Sequence, residues 1–246
     1  MSKLKLTNLE KSWVLYDVGN SAFTLLVSTL FPIYFNAISS QAGLSQVQYM
    51  AYWGYATSIV TVIVAVLGPV FGTITDFKGY KKPIFIGSLV IGAIGCCMMG
   101  MTASWLIFLI IYIIAKCGYS ASLVFYDSMI NDVTTEERMD DVSSRGFAWG
   151  YIGSCVPFVL GLLLVLFGDK IGLSQMTSMS VAFTITAVWW VVLTIPLLKN
   201  YKQVNYVKKE QGVVAGSFKR LGKTLVNIKN EKYVFLFLLE FFCYID

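Results

Sequence analysis

Histidine is missing altogether from this 246-residue sequence. That absence removes His-dependent nucleophilic triads, HExxH zinc sites and imidazole proton relays from consideration. Charge is also scarce: 13% of residues are Asp, Glu, Lys or Arg, and 57% are hydrophobic, whereas a soluble domain is about a quarter charged. The few cysteines, Cys96, Cys97, Cys117, Cys155 and Cys243, sit inside apolar runs without the paired CxxC spacing of a zinc site, so they read as packing residues. Neither a metal nor a cofactor is expected. The net charge of +5 does not point to nucleic acid, because its basic residues lie in short segments between apolar runs; the partner it implies is a lipid bilayer.

What the sequence has in quantity is long apolar runs. Crossing the hydrocarbon core takes about 20 helical residues, and six segments reach that length, at 13–38, 51–74, 83–101, 105–126, 147–167 and 179–198. Lys3, Lys5 and Lys11 precede the first run, but that run is too long for a signal-peptide core and no small-residue cleavage site follows, so it reads as an uncleaved span. A seventh run starts at 233 and stops at Asp246, too short to cross, which makes the chain read as a fragment. The expected division is therefore a six-span bundle over 1–198, a basic linker over 199–232 and the start of a seventh span over 233–246. All of this defines an all-α polytopic membrane protein.

Orientation follows from the placement of Lys and Arg, which are retained in cytoplasmic loops. The N-terminus, the second-to-third loop (Lys78, Lys81, Lys82), the fourth-to-fifth loop (Arg138, Arg145) and the linker are all basic, while the opposite side has only Lys170. The N-terminus is thus expected in the cytoplasm. Within the linker, Phe218, Leu221, Leu225 and Ile228 alternate with Lys219, Arg220, Lys223 and Lys229, which suits either an amphipathic helix on the inner leaflet or a solvated basic tether.

The second-to-third loop runs Gly68-Pro-Val-Phe-Gly72-Thr-Ile-Thr-Asp76-Phe-Lys-Gly79-Tyr-Lys81-Lys82-Pro83. It resembles the signature loop of the major facilitator superfamily, with Gly72, Asp76, Gly79, Lys81 and Lys82 as its parts; Phe77 and Tyr80 stand where that pattern usually has basic residues. Glycine there permits close helix approach and a tight reversal, and a carboxylate among cations makes a switchable cytoplasmic latch. The first span, with Tyr16-Asp17-Val18-Gly19-Asn20-Ser21 and later Phe31-Pro32-Ile33-Tyr34-Phe35, and the end of the fourth, Phe125-Tyr126-Asp127-Ser128-Met129-Ile130-Asn131-Asp132, narrow the likeness. Together they resemble the branch that includes the autophagy-related vacuolar amino-acid effluxers and their bacterial relatives, although Asp127 and Asn131 replace the more usual Asn and Pro. The resemblance implies a major-facilitator-type N-terminal bundle followed by a second one.

Charged and amide side chains inside spans are costly and usually mark a pathway or a paired site. They are Asp17 and Asn20 in the first span, Lys116 in the fourth, and Glu240 and Asp246 in the seventh. The resemblance puts all three spans around a central cavity, and depth permits an ion pair from Lys116 to Glu240. Asp17 is equally suited to a helix N-terminus, Asn20 to an interhelical hydrogen bond, and Asp127 to a structural place at the inner interface. In the fourth-to-fifth loop, Thr134-x-x-Glu137 reads as a capping box, and Asp132, Glu136, Glu137, Asp140 and Asp141 are placed to face Lys78, Lys81 and Lys82 or to form a solvated acidic turn. Gly146-x-x-x-Gly150, Gly153, Pro157 and Gly161 in the fifth span read as close packing with a proline bend.

These expectations converge on a secondary active transporter of a small polar solute working by alternating access, with amino-acid efflux or exchange the substrate class that the resemblance implies. Coupling to a proton or cation through Asp17 or Glu240 is left open. The alternatives are a non-transporting half-transporter or scaffold and, more remotely, an intramembrane aspartyl enzyme built on the pairs Tyr16-Asp17 and Tyr126-Asp127. The expected location is the plasma membrane of a bacterium, or the vacuolar membrane in a eukaryote.

Overall fold

The computed structural model describes residues 5–206 and, beyond them, positions 233, 236 and 240. Asp246, Cys243, Lys3 and the linker stretch 218–228 lie outside the described residues, whereas Glu240 is helical and exposed.

Thr7 starts the first helix. Its hydroxyl accepts from the Glu10 N–H and the Glu10 carboxylate accepts from its backbone, closing a capping box ahead of α1 (Asn8–Ser28). The first span is expected as one run but breaks at Thr29, with α2 (Leu30–Gln41) continuing it. Pro32 is the cause: it offers no N–H to the Ser28 carbonyl and its ring crowds that oxygen, so the helix parts there. The Thr29 hydroxyl then donates 2.6 Å to the Leu25 carbonyl, occupying an acceptor that the break exposes.

The remaining spans are α3 (Gln46–Thr75), α4 (Lys81–Met99), α5 (Trp105–Val133), α6 (Met139–Phe167) and α7 (Gln175–Asn200), with short 3-10 turns at Glu136–Arg138 and Gly168–Ile171. With α1 and α2 taken together, six helical segments among the described residues are long and apolar enough to cross a membrane. Five of them contain an expected run in full, several outlasting it, while α4 stops at Met99, two residues short of the end expected for the third run. The fourth run ends in apolar terms at Tyr126, yet α5 continues to Val133, carrying Asp127 and Asp132 beyond the hydropathy signal. Helix α6 passes through Pro157 without interruption.

Lipid tails are as apolar as leucine, so close packing and interhelical hydrogen bonds hold such a bundle. Helices α4 and α5 meet at glycine: a Cβ on Gly118 would stand 2.9 Å from the Gly92 nitrogen and the Ser88 carbonyl, both backbone atoms that cannot yield. Helix α1 packs on α6 and α7. Gly146, Gly150 and Gly153 admit Trp13, Asp17, Ser21 and Val18 of α1, as the fifth-span spacing predicts. Between α1, α5 and α7 lies an aromatic core of Tyr16, Phe23, Phe31, Tyr119, Phe183 and Trp190. Polar ties cross it: the Tyr16 and Ser122 hydroxyls are 2.8 Å apart, Thr24 bonds to Tyr119, and the Trp13 indole donates 3.2 Å to the Tyr126 carbonyl.

Candidate functional site

Helices α1, α5 and α6 enclose one side of an open cavity of 580 Å³, and the residues lining it include Asp17, Asn20 and Thr24 from α1, Tyr119, Tyr126 and Asp127 from α5, and Ser143, Phe147 and Tyr151 from α6. The glycines of α6 make the room. A Cβ on Gly146 would meet the Asp17 carboxylate at 3.2 Å and the Tyr126 hydroxyl at 3.6 Å, so these two groups share one neighbourhood. Asn20, itself 2% exposed, donates 3.3 Å to the Asp17 carboxylate. Asp127 is exposed to the cavity, and no hydrogen bond or ion pair reaches it from the described residues. Tyr126 stacks on Trp13 at 4.3 Å and is 3% exposed, yet its hydroxyl has no partner among the described residues.

Asp17 and Asn20 thus stand together in the cavity. Asp127, which sequence reasoning placed in a structural role at the inner interface, joins them. Its cue was the helical spacing Tyr119, Leu123, Tyr126, Asp127, Ile130, a stripe that faces the cavity. No hydrogen bond joins the Asp17 and Asp127 carboxylates, as it would in a proton-sharing aspartyl dyad. Lys116 lies nearer the start of α5 than this group and is half-buried, its ammonium 4.6 Å from the Tyr119 ring centre and 6.0 Å from that of Phe23. Among the described residues its contacts are these rings, and no ion pair joins it to Glu240.

The end of the bundle where α1 begins holds a second kind of polar arrangement. Glu10, 1% exposed, accepts from the Thr7 N–H and the Thr134 hydroxyl at 2.7 Å each, and from Nε and Nη2 of Arg138 at 2.8 Å each. This ties the start of α1 to the connection between α5 and α6. The capping box expected at Thr134-x-x-Glu137 does not form, because the Thr134 hydroxyl is given to Glu10 and the 3-10 turn after Thr135 has no side-chain cap. The real box is Thr7-x-x-Glu10, the same pattern nearer the N-terminus, which sequence reasoning passed over.

Close by, Asp132 takes the Lys81 ammonium at 3.5 Å, the Tyr201 hydroxyl at 2.6 Å, and the Val204 and Asn205 N–H groups at 3.2 and 2.7 Å. Gln203 accepts from the Gly79 N–H and donates to the Thr75 carbonyl, and Lys78 sits 5.0 Å over the Tyr206 ring. The segment leaving α7 is therefore stitched onto the second-to-third loop. Of the expected latch charges, Lys81 pairs with Asp132. Asp141 pairs with Arg145 on its own helix, and Asp76, Glu136 and Glu137 are exposed. Gly79 makes the tight reversal at φ +83°, but Gly72 has nothing within 4 Å of where a Cβ would stand, so no close helix approach occurs there among the described residues.

Six spans, a first span broken by proline, a glycine-turned basic loop after the second and a cavity with two carboxylates on the first, fourth and fifth define a polytopic membrane protein of the major-facilitator type. The chain belongs to the family described as "Vacuole effluxer Atg22 like", whose model matches residues 8–246. It is 42% identical over 247 residues to the uncharacterized MFS-type transporter YxiO of Bacillus subtilis (strain 168), an alignment that takes in 98% of this chain and 58% of that protein. The chain thus spans 58% of the length of the curated relative it matches.

Proposed function

We propose that this bundle is the N-terminal half of a secondary active transporter that moves a small polar solute by alternating access. The observation that carries the reading is the cavity: Asp17 and Asn20, inside the first apolar run, and Asp127, one residue past the end of the fourth, line one open space, and charge within a span is expensive unless it serves a pathway. Helices α3 and α6 are the least covered of the six spans, with 11% and 22% of their central windows buried, and α6 borders the cavity. That leaves an apolar flank for a second bundle in the arrangement such transporters use. An amino acid is the proposed substrate and efflux or exchange the proposed direction, supported by the family's description and by the presence of both charge signs, in Lys116 and the cavity carboxylates. The basic N-terminus and loops support a cytoplasmic N-terminus, and the bacterial relative supports a plasma-membrane location.

The test is transport itself. Proteoliposomes carrying the full-length protein and loaded with a labelled amino-acid mixture are expected to release or exchange label, and Lys116→Ala is expected to abolish that flux. Unchanged flux in Lys116→Ala would take Lys116 out of the mechanism, and the absence of any solute movement by the wild-type protein would overturn the transporter reading.

A further inference from the structure

Resting on the transporter reading for its purpose, though not for its detection, we infer that the cavity between α1, α5 and α6 receives an organic ammonium group held between Asp17 and Asp127. Sign is the first argument. Among the described residues, two carboxylates line the cavity and no lysine or arginine does. Of the nearby cations, Arg145 pairs with Asp141 at 3.0 Å, and Lys116, beside the Phe23 and Tyr119 rings, is not among the residues that line the cavity. A charge at membrane depth calls for a partner of opposite sign, and the protein residues described supply none here.

Unspent hydrogen-bonding capacity is the second argument, and it is independent of the first. The Tyr126 hydroxyl belongs to a side chain 3% exposed, lines the cavity beside the Asp17 carboxylate and has no partner among the described residues. A buried hydroxyl left this way loses a hydrogen bond that a ligand can supply. Asp17 accepts only from Asn20 and Asp127 from nothing described. An ammonium group, with three N–H donors, matches this set of acceptors.

The third argument separates an organic cation from a metal ion. A hard cation is held in a close cage of oxygen ligands, whereas these carboxylates open onto 580 Å³ of mainly apolar space. Phe147 and Tyr151 stand beside them, 63% and 73% exposed, with ring faces free to cover a cation. Carboxylates with aromatic walls suit an amine attached to a hydrocarbon body.

The experiment compares two probes of similar shape and opposite charge, 2-phenylethylamine and 3-phenylpropionate, titrated by calorimetry into the purified full-length protein in detergent. The amine is expected to bind and the acid not, and Asp17→Asn and Asp127→Asn are each expected to weaken the amine at least about tenfold, as for loss of a charged hydrogen-bond partner. Tyr126→Phe, which removes one oxygen from a ring whose packing remains, is expected to weaken it several-fold and guards against a misfolded Asp variant. Equal binding of the acid, or amine binding indifferent to all three substitutions, overturns the inference. Displacement of the amine by NaCl but not by equimolar KCl overturns it in favour of a metal-ion site. Amine binding with this residue dependence in a protein that moves no solute keeps the inference and fells the transporter reading; flux that ignores Asp17 and Asp127 does the reverse.

Discussion

Helices α1 and α5 each carry two acidic residues, and each helix treats its two differently. At the end of the bundle where α1 begins, Glu10 and Asp132 are enclosed and every carboxylate oxygen has a donor: Arg138, Thr134 and the Thr7 N–H for Glu10; Lys81, Tyr201 and two backbone N–H groups for Asp132. Deeper in the membrane, Asp17 has one amide partner and Asp127 none among the described residues, and both face the cavity. The difference assigns roles by a physical criterion. A carboxylate whose acceptors are all filled by its own protein holds the fold, and one left open at membrane depth is available to something that arrives.

The contrast is easiest to break at Asp132. Asp132→Ala leaves the Lys81 ammonium, 4% exposed, with only the Ser128 carbonyl at 3.2 Å and releases the segment after α7. Removing one partner of a buried pair strands the other charge, so we expect a loss of about 3 kcal/mol, read as a lower midpoint of tryptophan-detected thermal unfolding in detergent. Glu10→Ala comes next at about 2–3 kcal/mol, because it removes a helix cap and orphans the Thr134 hydroxyl along with the Arg138 donors. The same unfolding measurement checks it, and a midpoint equal to that of wild type would show that Glu10 does not bind α1 to the α5–α6 connection.

Tyr201→Phe removes a single hydroxyl from the Asp132 cluster, for about 1 kcal/mol at neutral pH. Its pH dependence has a definite sign. Burial and then the hydrogen bond and negative charge of Asp132 raise the Tyr201 pKa above its ordinary 10.0. A raised folded-state value means that the stabilisation is complete below pH 10 and drains away as pH climbs towards the folded value. The wild type therefore loses stability on the alkaline side that Tyr201→Phe does not, and the gap between their unfolding midpoints narrows above pH 10. A gap that widens there would mean that Tyr201 does not donate to Asp132.

The spans were legible because hydropathy is local: twenty apolar residues announce a membrane crossing whatever surrounds them. The break at Thr29 was legible in principle from Pro32. What hydropathy hides is where a helix ends once it leaves the apolar layer, and so the extension of α5 past Tyr126, which carries Asp127 and Asp132, went unseen. Asp17 and Asn20 were found because a polar residue inside an apolar run stands out. The place of Asp127 on the cavity could not be read, because its run had already ended and the cavity depends on α1 and α6 closing around it, a tertiary fact. Glu10 was missed although Thr7-x-x-Glu10 is a local pattern, since its larger partners, Thr134 and Arg138, come from the far side of the bundle.

The smallest expected effect discriminates most sharply. Asp127→Asn and Asp17→Asn keep side-chain volume and remove a charge from the cavity. Asp127 gives up no described hydrogen bond, and Asp17 gives up at most the 3.3 Å contact from Asn20, which an amide oxygen can still accept. Substitutions that break no satisfied interaction fall within about 0.5 kcal/mol, so unfolding midpoints should match wild type while amine binding and flux fall. This is the pattern of a site residue, loss of function without loss of stability, and it inverts the pattern expected at Asp132. If Asp127→Asn unfolded as readily as Asp132→Ala, the open carboxylates would be structural too, and the division between a filled end of the bundle and an open cavity would fail at the helix that carries both.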